Sequence, residues 1–419
     1  MSYAEDVIRL AVGGGTDALL ERIGDRRVVM IGEATHGTHE FYRWRAEITK
    51  RLIAGYGFSF VGVEGDWPDC ARIDRSVRCH DDGLSDPRAA LTLFERWPTW
   101  MWANEEVADF CRWLRWHNAA REPEARVGFH GLDIYSLWES LREILDHLRR
   151  SAPDALAEAA SAFRCFQPFG EDPQRYAMAT RFVPASCEDE VVSLLARLRS
   201  EAGADFAAVQ NAEVVAGAEA YYRAMVRGGP DSWNVRDRHM DATLARLLAH
   251  YGAGAKAVVW AHNTHVGDER GSDMAAAGEV TIGGLARARF GADQVALIGV
   301  AGGPGTVIAG RSWGGAAEEL PVPAGREGSL EGILARHAPP EAVLPFPPDD
   351  PPALLTDPIP HRAIGVVYRP EREPFGNYVP TVLADRYDHL AWFATTRGVR
   401  PLHTLHSDVH ELEAYPSGV

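Results

Sequence analysis

Short apolar runs rich in valine and isoleucine alternate along this chain with longer segments in which apolar residues recur every three to four positions. The short runs are apolar at nearly every position, which is typical of strands buried on both faces of a parallel or mixed sheet. Six runs have this character: 27–33, 58–64, 126–133, 256–262, 294–300 and 363–368. The pattern predicts an α/β fold with a central, mostly parallel or mixed sheet flanked by helices.

The longer segments predict amphipathic helices. In residues 39–54 the side chains of Trp44, Ile48 and Leu52 fall on one stripe of a helix. Similar spacing predicts two further helices, at 105–116 and 135–149.

The middle of the chain predicts helices only. From about residue 134 to 251 it is rich in alanine and leucine and contains no convincing strand. We therefore expect a single catalytic domain over residues 1–419, with this mainly helical region embedded between two strands. The later segment Pro339–Pro360 is dense in proline, so we expect a loop or connector there.

The charge balance narrows the set of partners. The 419 residues carry 43 Lys and Arg against 59 Asp and Glu, a formal net charge of −16. Nucleic acids and anionic membranes attract basic surfaces, so neither is expected as a partner. No apolar stretch reaches the ~18 residues of a membrane span, and acids replace the basic start of an export signal. We expect a cytoplasmic protein that acts on a small molecule; the sequence predicts no oligomeric state.

The cysteines predict neither a disulfide scaffold nor a zinc site. Their number is odd and no two form a C-x-x-C pair, so free thiols in a reducing compartment are expected. The five are Cys70, Cys79, Cys111, Cys165 and Cys187.

Ionisable side chains stand at the ends of four predicted strands. The carboxyl ends of parallel strands meet along one edge of a sheet, where α/β proteins bind their ligands. We therefore expect these side chains to form one shared site, although isolated polar residues at strand ends are usually helix caps or loop residues. The residues are Glu33 and His36, then Glu64, then His130 and Asp133, and finally His262 and His265.

Two kinds of chemistry suit this set. A histidine with a pKa near neutrality can remove a proton from water while a glutamate orients the ring. Alternatively, nitrogen and oxygen ligands can bind a divalent metal that acidifies its bound water. The ligands would be Glu33, His36, Glu64, His262 and His265. We predict no cofactor and keep the metal-dependent hydrolase as the alternative.

Several segments in a fixed order resemble the motifs of the erythromycin esterase family. They are 28–45, 60–68, 234–240 and 261–267, with weaker matches at 328–331 and 362–370. Together they extend from Val28 to about Leu402 and so cover nearly the whole chain. Any one of these motifs would be weak, but the ordered set is specific.

The resemblance implies a hydrolase that opens the macrolactone ester of macrolide antibiotics with water. His36 matches the family's proposed general base, Glu33 the acidic residue beside it, Glu64 the second-strand glutamate, Arg45 an arginine of the cleft, and His262 and His265 the paired histidines. Gly37 and Thr38 follow His36, whereas macrolide esterases tend to carry a bulky residue there. A binding protein without turnover is therefore a third hypothesis.

Aromatic residues are the candidates for contacts with a large apolar substrate. The densest aromatic run is 97–102, which predicts either an apolar cleft wall or core packing between helices. The predicted substrate-binding residues are Trp67, Trp97, Trp100, Trp102, Asp133 and Arg236.

A competing signal lies at 310–314, which matches the G-x-S-x-G motif of serine esterases. That motif needs a strand, a sharp turn and then a helix. Only a short helix fits before Pro321, so we interpret the match as chance.

Overall fold

A seven-stranded sheet organises the computed structural model, which describes residues 3–153, 156–182, 186–200 and 205–403. The strands of the described residues are β1 Val28–Ile31, β2 Phe60–Asp66, β3 Gly128–Asp133, β4 Ala257–Trp260, β5 Val295–Gly302, β6 Gly305–Gly310, β7 Ala317–Val322, β8 Glu341–Pro345, β9 Pro358–Arg362, β10 Tyr378–Val382 and β11 His389–Phe393.

The central sheet has the order β3-β2-β4-β1-β5-β11-β8. Neighbouring strands are parallel except for β8, which runs antiparallel to β11 at the edge. Strands β1 to β5 are buried along their whole length, because helices cover both faces. The predicted α/β fold with a mostly parallel sheet is confirmed.

The helices of the described residues supply these two covering layers. They are α1 Tyr3–Val12, α2 Thr16–Ile23, α3 His39–Tyr56, α4 Trp67–Val77, α5 Pro87–Leu91, α6 Glu105–Ala119, α7 Leu137–Ser151, α8 Leu156–Phe166, α9 Pro173–Phe182, α10 Glu188–Ser200, α11 Phe206–Met225, α12 Asp231–Tyr251, α13 Asn263–Val266, α14 Met274–Ala277, α15 Ile282–Phe290, α16 Leu330–His337, α17 Ala353–Thr356, α18 Glu373–Gly376 and α19 Leu383–Arg386. None of them is both long and apolar enough to cross a membrane.

The chain between β3 and β4 forms the predicted helical insertion. Its described residues build α7 to α12 and contain no strand. These helices bury an apolar cluster of their own, which includes Trp138, Phe166, Tyr176, Leu194 and Tyr222. The insertion is therefore a separate packing layer, and its last helix, α12, also packs against β3 and α15.

The C-terminal part of the chain departs from the prediction. Residues 363–368 form no strand; Ile364 and Val367 make only single bridges to Thr35 and Gly310. Conversely, the predicted connector 339–360 contains β8 and the start of β9. Proline is tolerated in both strands because β8 lies at a sheet edge and β9 belongs to a two-stranded ribbon.

The cysteine prediction was wrong for one pair. Cys165 in α8 and Cys187, just before α10, form a disulfide, with their Cα atoms 5.8 Å apart. The spacing of the cysteines gives no sign of this pairing, because only the packing of α8 against α10 brings them together. Cys70, Cys79 and Cys111 are free thiols, as expected.

Candidate functional site

The carboxyl ends of β3, β2, β4 and β1, which are neighbours in the sheet, open into one cleft of about 1190 Å³. The cleft is lined by His36, Glu64, Asp133, His262 and His265. These are five of the seven strand-end side chains that the sequence singles out. Glu33 lies directly behind His36, and only His130 lies elsewhere.

Glu33 holds the ring of His36 from behind. The Nδ1 atom of His36 lies 3.0 Å from Glu33 Oε1, and the other oxygen of Glu33 lies 2.9 Å from Nη1 of Arg45. The side chains of Glu33 and Arg45 have no exposed surface. Tyr42 donates its hydroxyl proton to the carbonyl oxygen of His36. Since Nδ1 donates to a carboxylate, Nε2 of His36 remains as the basic nitrogen.

Arg45 supports this pair without reaching the cleft. Its guanidinium lies 3.8 Å from the ring centre of Tyr42 and 4.9 Å from that of Trp260. The family resemblance implied that Arg45 lies in the cleft, either as a donor to the acyl oxygen or as a partner that fixes a carboxylate; in the structure α3 turns it inward, where it pairs with Glu33. Arg45 is therefore connected to His36 only through Glu33.

His262 is a neutral ring whose Nε2–H has no partner. It caps the N-terminus of α13, and its Nδ1 accepts a hydrogen bond from the backbone N–H of Thr264 and lies 2.8 Å from the Thr264 hydroxyl, so the ring proton belongs on Nε2. The Nε2 atom is buried and makes no hydrogen bond. Burial lowers the pKa of His262 well below its usual range, and the neighbouring ring of His36, 4.8 Å away, lowers it further. His262 thus offers the cleft an unused donor.

His265 carries a positive charge at neutral pH. Its Nδ1 lies 2.7 Å from Asp237 and its Nε2 lies 3.3 Å from Glu64. Burial lowers the pKa of His265, but the two carboxylates outweigh it and raise the pKa to about 9. The Nη1 atom of Arg236 lies 3.1 Å from Nε2. Because a protonated ring cannot accept a hydrogen bond, Arg236 is a second cation beside His265 and does not donate to it. The ring of Trp233 stacks on His265 at 4.3 Å.

Glu64 and Arg236 connect the strands to the helical insertion. Arg236, in α12, lies 2.8 Å from Glu64 and 2.6 Å from Asp133. Burial raises the pKa of Glu64, but the neighbouring His265, His36 and Arg236 outweigh it and hold that pKa well below the usual range. Glu64 also accepts the backbone N–H of His262 at 2.8 Å. This glutamate is therefore ionised and fully engaged.

The present partners of Glu33 and Glu64 affect whether these residues could bind a metal. Glu33 hydrogen bonds to His36 and is ion-paired with Arg45, and Glu64 accepts from Arg236 and from the backbone N–H of His262. Among the residues that the structure describes, no three His, Cys, Asp or Glu side chains converge as a metal-binding group. Glu33, His36, Glu64, His262 and His265 would therefore have to exchange their present partners to hold a metal.

Aromatic residues form the opposite wall of the cleft. Trp97 and Trp102 line it, as does Trp313 from the turn between β6 and β7, which packs on Trp97 at 5.0 Å. The cleft wall thus combines the predicted run 97–102 with a residue that is distant in sequence. Val366 and Val367, from the segment predicted as a strand, complete this side.

Two of the predicted substrate contacts do not border the cleft. Trp100 is buried behind Trp97, with 5.4 Å between their rings. Trp67 stacks on His130 at 5.6 Å, and His130 hydrogen bonds to Tyr251. His130 and Asp133 point to opposite faces of β3, because side chains alternate along a strand. Only Asp133 reaches the site.

The G-x-S-x-G match has no elbow geometry. Strand β6 is followed by the antiparallel strand β7 and not by a helix. Ser312 lies exposed in the turn between them. The interpretation of residues 310–314 as a chance match agrees with this arrangement.

Several residues of the site escaped the sequence-based prediction, and two of them contact His265. Asp237 has no exposed side-chain surface and holds His265, and Trp233 covers the same ring. Both are in α12, one turn apart. The signal that could have found Asp237 is its place next to Arg236, inside the segment 234–240 that resembles a family motif.

The fold and the cleft together define the class of protein: an α/β protein with a cluster of glutamates and histidines at the carboxyl ends of its strands. A family model described as erythromycin esterase matches residues 53–396. The chain belongs to the erythromycin esterase family.

Solved structures share the fold. The chain is similar to a protein titled as a succinoglycan biosynthesis protein, with 18% identity, a TM-score of 0.75 and coverage of 95% of this chain and 97% of the other. A Bacillus cereus protein is 18% identical, with a TM-score of 0.76, and the match covers 96% of this chain and 98% of the other. A mutant of the erythromycin esterase EreC in its open conformation is 16% identical, with a TM-score of 0.66, and the match covers 91% of this chain and 93% of the other. At these identities the likeness concerns the fold alone.

Proposed function

We propose that this protein is a hydrolase that cleaves a carboxylic ester or lactone with water, and that His36 is its general base. The observation that carries the proposal is the Glu33–His36 pair at the cleft, in which Nδ1 of His36 is engaged at 3.0 Å and Nε2 is left for water. A histidine oriented by a carboxylate in this way is a standard device for removing a proton during acyl transfer. Membership in the erythromycin esterase family supports the same chemistry.

The proposed reaction begins with water in the cleft. Nε2 of His36 takes a proton from the water molecule while its oxygen attacks the carbonyl carbon of the ester. The carbon–oxygen bond to the alcohol then breaks, and the departing alkoxide takes the proton back from His36. One water is consumed, and the products are a carboxylic acid and an alcohol, or a hydroxy acid from a lactone.

The negative charge that develops on the carbonyl oxygen needs donors. His262 supplies a buried Nε2–H without a partner, and His265 and Arg236 supply positive charge on the same side of the cleft. Donors and charges that are already in place stabilise such an oxyanion without reorganisation. We assign the apolar part of the substrate to the wall of Trp97 and Trp102, and its polar substituents to Asp133 and Arg236.

Replacement of His36 tests the base. The substrates are simple aryl esters, small lactones and a panel of macrolides. We expect His36→Asn to lower kcat/KM about 10²- to 10⁴-fold, the usual contribution of a general base. His39→Asn is the matched control, because His39 bonds to Glu106 and does not line the cleft. Equal rates for wild type and His36→Asn would remove His36 as the base.

Two further measurements test the other two hypotheses. Metal analysis of the purified protein, with rates before and after chelation, tests the metal-dependent hydrolase; a bound stoichiometric metal and a loss of activity on chelation would support it. Calorimetry beside product analysis tests the binding protein. Tight binding of an ester with no product after long incubation would support that hypothesis over hydrolysis.

A further inference from the structure

A second cavity of about 870 Å³ adjoins the cleft. The two cavities share Gly229, Trp233 and Thr264 in their walls. Trp233 stands at the junction, where its ring lies nearly parallel to that of His265 at 4.3 Å. A ligand that extends past this indole would therefore have one end beside the proposed reacting groups and the other end in the second cavity.

The residues that line the second cavity determine which kind of ligand group it can bind. Apolar surface comes from Pro230, Met274 and Val379, and two carboxylates, Asp273 and Glu279, are present. None of the described residues that line this cavity is Lys or Arg. A neutral, apolar group suits this surface, because apolar contact is favourable there and no Lys or Arg of the described lining would balance a negative charge on the ligand.

The far wall is fixed by the same helix that carries Arg236 and Asp237. Trp233 donates its indole N–H to the carbonyl oxygen of Val280 at 2.8 Å. The side chain of Asn234 donates to the carbonyl oxygen of Gly278 and accepts from the N–H of Val280, both at 2.8 Å. The loop that bears Glu279 is thus tied to α12, so the second cavity and the cleft are built on one element.

We propose that the second cavity binds an elongated, uncharged apolar arm of the substrate while the ester group lies at His36. The ester group and the adjoining part of the substrate would occupy the cleft, of about 1190 Å³, and the arm would extend past Trp233 into the second cavity. This inference rests on the proposed hydrolase and names its substrate class as long-armed esters. Ala277, in the short helix α14, lines this cavity but not the cleft.

Ala277→Trp adds an indole at the wall of the second cavity, and Ala276→Trp is the matched control. Ala276 is the preceding exposed residue of α14 and lines neither cavity. The substrates are p-nitrophenyl esters with acyl chains of two and eight carbons, and an eight-carbon ester ending in a carboxylate. We expect Ala277→Trp to lower kcat/KM about tenfold for the neutral eight-carbon ester, mainly through KM, and to leave the two-carbon ester unchanged. Ala276→Trp should change neither, and wild type should disfavour the carboxylate-ended ester.

Equal effects of Ala277→Trp on the short and long esters, or no effect on either, would overturn the inference. If wild type hydrolyses no ester, the proposed function fails by itself. The second cavity is then tested by calorimetry with 2-decanone, a long ketone that cannot be hydrolysed. Binding that is lost in Ala277→Trp and kept in Ala276→Trp supports the inference, and equal binding by both variants overturns it.

Discussion

His265 shows how single contacts set the charge of the cleft. Its folded-state pKa of about 9 lies above the ~6.5 of an unfolded histidine. The proton is therefore held more tightly in the folded state. Its contribution to stability is fully present below about pH 6.5 and is lost as the pH rises toward 9. Catalysis that uses the His265 cation should weaken over the upper part of the same pH range.

Removal of the Asp237 carboxylate tests this assignment. In Asp237→Asn the ring loses a carboxylate 2.7 Å from Nδ1, so the pKa of His265 should fall. We expect the alkaline limb of the pH profile of kcat/KM to move down by about one pH unit or more. Asp241→Asn is the control, since Asp241 lies one turn later in α12 and pairs with Arg289 away from the cleft. An alkaline limb that stays in place in Asp237→Asn would contradict the role of Asp237.

Part of the site was predictable at the residue scale because it follows from topology. Glu64 and His262 end neighbouring parallel strands, so their convergence follows once the strands are recognised. Trp233 and Asp237 were missed because they reach the same edge from a helix. A helical sequence that is polar on one face does not reveal whether that face meets solvent or a cleft.

At the scale of elements, the Arg45–Glu33 pair joins α3 to the end of β1 inside the core. Both side chains are fully buried, so removing one partner leaves an uncompensated charge. We expect Arg45→Met to lower the free energy of unfolding by about 3 to 5 kcal/mol, measured by urea denaturation. Arg51→Met, on the same helix but half exposed, should change it by less than about 0.5 kcal/mol.

The double variant Glu33→Gln/Arg45→Met separates stability from activity. Removing both charges should recover part of the lost stability, because no buried charge remains unpaired. Activity should stay low, because His36 has lost the carboxylate that orients its ring. A double variant as unstable as Arg45→Met would show that the cost of Arg45→Met does not come from the unpaired charge of Glu33.

The disulfide links α8 to the chain just before α10 within the helical insertion. Its cysteines are separated by 22 residues in sequence, and closing a loop of that size stabilises a fold by about 3 kcal/mol. We expect Cys165→Ser/Cys187→Ser to unfold at lower temperature, with kcat unchanged, since no described residue of α8 or α10 lines the cleft. Reductant should lower the melting temperature of wild type but not of the variant. A wild type insensitive to reductant would contradict a stabilising role.

The strands of the described residues differ in how clearly the sequence pattern predicts them. Strands β1 to β5 are covered on both faces, and their continuous apolar runs were recognised. Strand β7 contains both buried and exposed residues, and β9 contains two prolines. Edge strands and ribbons of this kind need no long apolar run, so the pattern predicted a connector where β8 and β9 form.

At the scale of the whole molecule, the excess of acids does not make the cleft acidic. Each carboxylate that lines it contacts an arginine: Glu64 and Asp133 meet Arg236, Asp66 meets Arg96, and Asp69 meets Arg72. Burial raises the pKa of Asp66, and the nearby carboxylates of Asp69 and Asp133 raise it further against the opposing effect of Arg96. The net charge of −16 therefore acts on a substrate mainly through long-range electrostatics and not through direct contacts in the cleft.

A long-range field of this kind has a testable consequence for rates. We expect a cationic ester to have a higher kcat/KM than an anionic ester of the same size at low salt, because the charge of −16 attracts one and repels the other. The ratio should fall several-fold as the ionic strength rises above ~0.1 M, where the Debye length shrinks to about 10 Å. A neutral ester of equal size serves as the control and should be insensitive to salt. A ratio that does not change with salt would mean that contacts inside the cleft, such as those of Arg236 or Asp69, decide the preference.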